Sequence, residues 1–89
     1  MNSKAFAKIP QYRSHKVVGA LKIKEVAGNA DFSATLYFED DNYAPIDVDK
    51  EYVGKHRPQA GGYYVRYADN YESWSPAKAF EEGYELIKE

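Results

Sequence analysis

Residues 58–84, PQAGGYYVRYADNYESWSPAKAFEEGY, decide the fold, because they carry the local signals of a strand, a turn, a second strand and a helix. Gly61-Gly62 interrupts whatever precedes it. Residues 63–67 are aromatic and β-branched, which is typical of a strand. Asp69-Asn70 tolerates the left-handed backbone conformation, so we expect a hairpin with a short return strand at residues 71–73.

A helix is predicted directly after this hairpin. Ser75 is the expected N-cap, because its hydroxyl can accept an N–H of the first turn, and Pro76 suits the first helical position. The residues expected on the apolar stripe are Ala77, Phe80, Tyr84 and Ile87. Gly83 interrupts that stripe, and a glycine inside a helix costs about 1 kcal/mol relative to alanine. Either the helix continues through Gly83, or Gly83 is the C-cap and residues 84–87 form an extended tail.

The same order of elements occurs in a group of small bacteriophage proteins. The segments that carry the likeness are GGYYV at 61–65, SWSP at 73–76 and AFEEGY at 79–84. Ser14-His15-Lys16 and Ala20-Leu21-Lys22-Ile23 are also similar to the start of such sequences. The chain therefore resembles this mostly uncharacterised phage family, although Asp69-Asn70 stands where Asp-Gly is common. The resemblance implies a phage origin and transfers no catalytic residue.

The upstream half predicts three strands and a short helix. We expect residues 1–11 to be weakly ordered, since they are poor in apolar side chains and Pro10 blocks a helix. Strands are expected at 15–26, at 32–39, where Phe32, Ala34, Leu36 and Phe38 alternate with polar residues, and at 44–48. A helix over 50–56 would be capped by Asp47 or Asp49 and ended by Arg57-Pro58.

These elements predict one α+β domain over residues 12–89. The order is β-β-β-α-β-β-α, and the economical arrangement is a small antiparallel sheet of about five strands with one or two short helices packed on it. The chain has 89 residues, 44% hydrophobic and 29% charged, which is an ordinary globular composition.

The cysteine count and the hydropathy of the sequence exclude several classes of protein. The absence of cysteine excludes disulfides, thiolate metal sites and a cysteine nucleophile, and fits a reducing cytoplasm. No apolar run approaches the roughly 18 residues of a membrane span, and the N-terminus lacks the apolar stretch of a signal peptide. We therefore expect a cytoplasmic protein that engages no membrane.

The distribution of charge is uneven. Residues 1–24 hold six basic residues and no acid, whereas the rest of the chain is acidic and the total is −2. The candidate phosphate-binding residues are Arg13, Lys16, Lys22 and Lys24. The alternative is that this basic strand packs beside the acidic body and forms weak ion pairs at its rim.

Acidic and aromatic residues are the candidates for binding a partner. The acidic candidates are Glu39, Asp40, Asp41, Asp47 and Asp49. These residues lack a calcium-loop pattern, and the alternative to partner binding is that they lie in a solvated loop. The aromatic set is Tyr37, Tyr43, Tyr64, Tyr71 and Trp74. Such side chains can pack under a helix, anchor a protein interface or stack on bases. His15 and His56 lie on different elements, so no metal site is expected.

No nucleophile, base or phosphate-binding loop is recognisable, so we expect neither an enzyme nor a cofactor. The leading hypothesis is a phage-type accessory protein that binds and occludes a host protein, in host defence or nucleic-acid processing. One alternative is a nucleotide or nucleic-acid binding protein that uses the basic strand and exposed tyrosines. Another is a self-assembling structural protein that forms a homo-oligomer through sheet edges and aromatic faces.

Overall fold

The computed structural model describes residues 16–87, which form five strands and two helices. The strands are β1 (Gly19–Gly28), β2 (Ala34–Phe38), β3 (Ile46–Val48), β4 (Tyr63–Arg66) and β5 (Glu72–Ser75). The helices are α1 (Lys50–His56), between β3 and β4, and α2 (Ala77–Gly83), after β5. The predicted α+β class and element order are confirmed. The expectation of a weakly ordered segment at residues 1–11 lies outside the described residues.

The sheet is antiparallel throughout, with the strand order β3-β2-β1-β4-β5. The ten-residue strand β1 is long enough to serve two partners. Its first half pairs with β4, from Gly19 opposite Arg66, and its second half pairs with β2, ending at Gly28 opposite Ala34. A shared first strand with a helix after the third strand is the arrangement of the five-stranded OB-type barrel, here open between the edges β3 and β5.

A β-bulge lies at Lys24, where β1 changes partner. Ile23 is opposite Phe38, but Glu25 is opposite Tyr37, so Lys24 is the extra residue on β1. Without it, strict alternation would put Ile23 and Glu25 on one face. With it, Val26 joins Ile23 on the core face, and Glu25 moves to the outer face beside Tyr37.

The core lies on the face that α1 covers. Ile23 and Leu36 are fully buried there. The other buried members are Ala34, Phe38, Val48, Tyr52 and Tyr64. Tyr52 is the buried residue of α1, so the helix contributes an aromatic ring to a centre otherwise supplied by strands. Full burial of one such large side chain contributes about 1.5–3 kcal/mol.

Helix α1 has a side-chain cap at its start and a left-handed residue at its end. The carboxylate of Asp49 accepts the N–H of Tyr52 at 2.8 Å, so Asp49 rather than Asp47 is the cap. Arg57 adopts φ 46° and donates its N–H to the carbonyl of Val53. Pro58 follows, which agrees with the predicted end of the helix.

The predicted cap of the second helix is wrong. Ser75 is the last residue of β5, and Pro76 occupies the N-cap of α2 with no side-chain hydrogen bond. The hydroxyl of Ser75 donates to the carbonyl of Pro76 at 3.1 Å instead. Of the two alternatives for Gly83, the structure has the helix end: Gly83 is the last helical residue, and Tyr84, extended at φ −137°, is the C-cap.

The first hairpin turn lies at residues 29–33, two residues later in the chain than the predicted strands imply. The N–H of Asn29 donates to the carbonyl of Ser33, and the N–H of Phe32 donates to that of Asn29. Phe32 therefore lies in the turn, at φ 71°, and its predicted place on a half-buried strand is wrong. The strand begins at Ala34. Strand β1 begins at Gly19, so residues 16–18 of the predicted strand lie before it, and residue 15 lies outside the described residues.

Candidate interaction surfaces

The five acidic candidates are dispersed. Residues 39–41 lie in the loop after β2. Asp47 lies on β3 and accepts a hydrogen bond from the hydroxyl of Thr35 at 2.7 Å, whereas Asp49 caps α1. Residues 16–87 contain no group of three or more His, Asp or Glu side chains placed to hold a metal ion. Asp47 and Asp49 thus have structural partners, whereas residues 39–41 form a run of three exposed acidic side chains.

The loop at residues 39–43 is an acidic turn beside an exposed tyrosine. The side chain of Asp40 accepts the N–H of Asn42 at 2.9 Å, and its carbonyl accepts the N–H of Tyr43 at 3.2 Å. Glu39, Asp41 and Tyr43 are exposed. We call residues 39–43 the acidic loop; it offers carboxylates and one aromatic ring to solvent.

The five aromatic candidates separate into surface and core residues. Tyr37, Tyr43 and Tyr71 are exposed. Tyr64 is only 3% exposed and belongs to the core, so the expectation of a surface side chain is wrong for it. Trp74 is half-buried and packs against the core.

Tyr64 anchors a polar network between β4 and β5. Its hydroxyl donates to the carboxylate of Glu72 at 2.5 Å and accepts a hydrogen bond from Nη2 of Arg66 at 2.7 Å. Burial and the bond to Glu72 raise the pKa of Tyr64, while the hydrogen bond to Tyr64 raises the pKa of Arg66. The network holds the two strands together and satisfies a buried hydroxyl.

The basic candidates do not form one phosphate-binding group. Arg13 lies outside the described residues. The ammonium of Lys16 lies 5.4 Å from the ring centroid of Tyr67. Lys22 lies 3.7 Å from the carboxylate of Glu81 on α2, so part of its charge is compensated within the chain. Lys24 is exposed at the bulge.

The structure reveals an aromatic and cationic cluster that the sequence did not predict. It lies where the β4–β5 turn meets the end of α1. Tyr67 and Tyr71 stack with ring centroids 5.9 Å apart. The ammonium of Lys55 donates to the hydroxyl of Tyr71 at 2.7 Å, and Nε2 of His56 lies 3.4 Å from the same hydroxyl. Burial, aided by the charge of Lys55, lowers the pKa of His56.

A surface cleft of about 600 Å³ lies beside this cluster. Its lining includes Lys16, Val17, Tyr67, Asp69 and Tyr71. The pairing of Tyr67 with Tyr71 is visible in the sequence, because both flank the Asp69-Asn70 turn. The approach of Lys55 and His56 to Tyr71 is not visible in the sequence, because it depends on how α1 packs against the second hairpin.

No protein-family model matches this chain, and no curated protein is significantly similar to it. A solved structure is similar: the NMR solution structure of the monomeric form of the phage L decoration protein. The two folds superpose with a TM-score of 0.62 at 30% sequence identity. The matched region covers 78% of this chain and 51% of that chain, so this chain spans about half the length of its neighbour.

The neighbour is a phage protein, and its name describes a decoration protein rather than an enzyme. This finding supports the resemblance of the sequence to phage proteins. The more specific motif family is not confirmed, since no family model matches. Among the described residues, no helix is both long and apolar enough to cross a bilayer.

Proposed function

We propose that this chain is a structural accessory protein of a bacteriophage that binds the outer surface of an assembled phage shell. The observation that carries the proposal is the similarity to a phage decoration protein, at 30% identity and a TM-score of 0.62 over 78% of this chain. A decoration protein adds itself to a surface that other subunits have built. That role requires a stable exposed contact surface and no catalytic group.

The acidic loop is the surface that we assign to the shell. It offers the carboxylates of Glu39 and Asp41 beside the exposed ring of Tyr43. Complementary charge speeds and orients protein association, and a tyrosine adds a large contact area at a small cost in conformational entropy. A basic, partly apolar site on the shell is the chemistry that this loop would recognise.

The comparison favours this role over occlusion of a host protein. The structural neighbour is named as a phage decoration protein, and nothing in its name concerns host defence. Of the hypotheses drawn from sequence, the structural and interaction protein is therefore the best supported. The acidic residues that the sequence marked as candidates for binding a partner suit a basic shell surface by complementary charge.

Co-sedimentation with purified shells of the encoding phage, prepared without this protein, tests the proposal. Asp41→Lys should weaken shell binding, because it places a cation where we expect a basic site. The matched control is Glu82→Lys on α2, an exposed residue that undergoes the same charge change. Absence of wild-type binding to the shells would refute the proposed function. Equal binding by both variants would refute only the role of the acidic loop.

Single-stranded nucleic acid is a second candidate partner, favoured by the cluster around Tyr71. Two stacked tyrosines with lysines over their rings form the kind of platform on which bases stack. The loop between the fourth and fifth strands is also a binding element of OB-type barrels. This function predicts oligonucleotide binding that weakens steeply with salt and is lost in Tyr71→Ala. Fluorescence anisotropy with a labelled oligonucleotide measures it.

A further inference from the structure

A second surface cleft opens beside the first hairpin turn, on the side of the molecule where the core meets solvent. Its volume is about 380 Å³. Val26, Ala34 and Val53 contribute its apolar lining, and Pro58 adds to it. Ala34 and Pro58 are buried, and the two valines are half-buried. We call it the hairpin cleft; it gives a partner access to the rim of the hydrophobic core.

Phe32 lies at the edge of the hairpin cleft in a conformation that does not suit it. It adopts φ 71°, a left-handed conformation that glycine and asparagine tolerate and bulky residues rarely do. Its side chain is 77% exposed, so the ring gains almost no burial in return. A strained, exposed aromatic ring beside an apolar cleft is typical of a contact residue rather than of a core residue.

Arg57 supplies the charge of the same cleft. It is exposed, follows α1 at φ 46°, and lines the cleft with the apolar residues. Within residues 16–87 the ion pairs are Lys22 with Glu81 and Arg66 with Glu72, so no carboxylate of this region pairs with Arg57. A suitable ligand therefore combines an aliphatic side chain with a nearby carboxylate.

The chain itself presents such a segment. After α2 the backbone is extended, and Leu86 and Ile87 are 84% and 63% exposed. Glu85, the residue before them, is exposed as well. We call residues 85–87 the acidic-apolar tail. Because both aliphatic side chains are exposed to solvent in the single chain, the tail is not docked in its own hairpin cleft.

We propose that the acidic-apolar tail of one copy docks in the hairpin cleft of a second copy. Leu86 and Ile87 then cover the apolar lining and contact the ring of Phe32, and Glu85 pairs with Arg57 of the other copy. The contact joins two different surfaces, so it repeats head to tail and either closes into a ring or continues as a row. This inference goes beyond shell binding and does not depend on it.

The proposed contact between the tail and the cleft is small, so the proposal includes a low affinity. Three tail residues bury far less area than the roughly 1,600 Å² of a standard stable interface. We therefore expect weak association in dilute solution. Copies held side by side on a surface have effective concentrations on the order of mM, at which a weak contact is occupied. In free solution, association should appear as the protein is concentrated towards about 1 mM.

A charge exchange tests the contact. Arg57→Glu and Glu85→Arg should each abolish the concentration-dependent association seen by sedimentation velocity, since each places like charges together. The double variant R57E/E85R should regain it, because every contact again joins opposite charges. An equal mixture of the two single variants should also associate, because each cleft then finds a compatible tail on the other variant. Lys78→Glu and Glu82→Arg on α2 are the matched controls and should behave as wild type.

Phe32→Asn provides a second test that does not disturb folding, because asparagine tolerates the left-handed conformation. It should weaken association while leaving thermal stability equal or higher. A wild-type chain that stays monomeric up to about 1 mM would overturn the inference. So would association that survives Leu86→Asp and both charge reversals, which would show another contact between copies. Shell binding is measured separately, so either proposal can fail without the other.

Discussion

At the scale of single residues, Gly62 determines how closely β4 approaches Trp74. A Cβ atom at this position would lie 2.5 Å from atoms of the indole ring, closer than van der Waals contact allows. The backbone of Gly62 is also fixed, because its carbonyl accepts the N–H of Ile23 at 2.8 Å. Trp74 packs against the core, so neither group can yield freely.

Gly62→Ala should therefore lower the free energy of unfolding by about 1–3 kcal/mol, the usual cost of overpacking. Gly54→Ala is the matched control. It adds the same methyl group inside α1, where nothing lies within 4 Å, and should raise stability by about 0.5–1 kcal/mol through helix propensity. Urea denaturation measures both. If Gly62→Ala unfolds at the wild-type midpoint, the close approach of the indole is wrong.

His56 makes stability depend on pH. Burial and the neighbouring charge of Lys55 lower its pKa in the folded chain, so the folded state prefers the neutral ring. This contribution is complete above the unfolded pKa, which is about 6.5, and is lost as pH falls through that value towards the lower folded pKa. The lowered pKa of Asp31 acts in a separate and more acidic range.

The melting temperature should therefore fall between about pH 7.5 and pH 5.5 in the wild type. His56→Gln should reduce that fall, since the amide keeps a polar partner for Tyr71 without titrating. His15→Gln is the control, because it removes the other histidine. An identical pH profile for the wild type and His56→Gln would contradict the proposed environment of His56.

At the scale of elements, the two short helices begin in different ways, and a pair of substitutions distinguishes them. Asp49→Ala should cost about 1 kcal/mol, because it removes the acceptor of the Tyr52 N–H at the start of α1. Ser75→Ala should cost much less, since its hydroxyl caps no N–H of α2. Equilibrium unfolding of both variants checks this. A cost for Ser75→Ala equal to that for Asp49→Ala would restore the cap that the sequence predicted.

The error at Ser75 has a physical cause. Its local sequence, Ser-Pro before an amphipathic run, is a strong cap signal, but Ser75 is also the ladder partner of Tyr63. A pairing between strands is decided by tertiary structure, which overrides a local preference. Phe32 shows the same limit, because alternation cannot locate the residue at which a turn becomes a strand. The second hairpin and α1 were predictable because their signals are local.

The candidate surfaces were predictable only as far as they depend on local sequence. The acidic loop follows β2 directly, so its exposure could be inferred. The burial of Tyr64 and the pairing of Lys22 with Glu81 depend on which face each element turns to its neighbour. The bulge at Lys24 determines which face the side chains of the second half of β1 occupy. No turn residue or proline marks this bulge in the sequence. The hairpin cleft likewise forms where the first hairpin, residues 26–34, meets residues 53–59, which are distant from it along the chain.

At the scale of the whole molecule, Tyr52 of α1 links the two edges of the curled sheet across its open side. The edges β3 and β5 share no ladder. Helix α1 follows β3 directly, and the hydroxyl of Tyr52 donates to the carbonyl of Ser73 on β5 at 2.6 Å. The ring is buried in the core, where it lies 6.4 Å from that of Tyr64. Tyr52 therefore joins the two halves of the sheet through both packing and a hydrogen bond.

Tyr52→Phe isolates the hydrogen bond, because it keeps the ring. It should lower the free energy of unfolding by about 1–2 kcal/mol, since the carbonyl of Ser73 loses its donor. Tyr63→Phe is the control, as it removes an exposed hydrogen bond to Glu81 and should cost less.

Alkaline titration of the Tyr52 variant gives an independent readout. Burial raises the pKa of Tyr52 above its ordinary value of about 10, so this residue stabilises the fold below pH 10 and loses that contribution as the pH rises further. Tyr52→Phe should therefore be less stable at neutral pH but lose less stability above pH 10 than the wild type. Parallel curves for the two proteins would show that the hydroxyl does not hold the open side of the sheet, and that packing of the ring alone does.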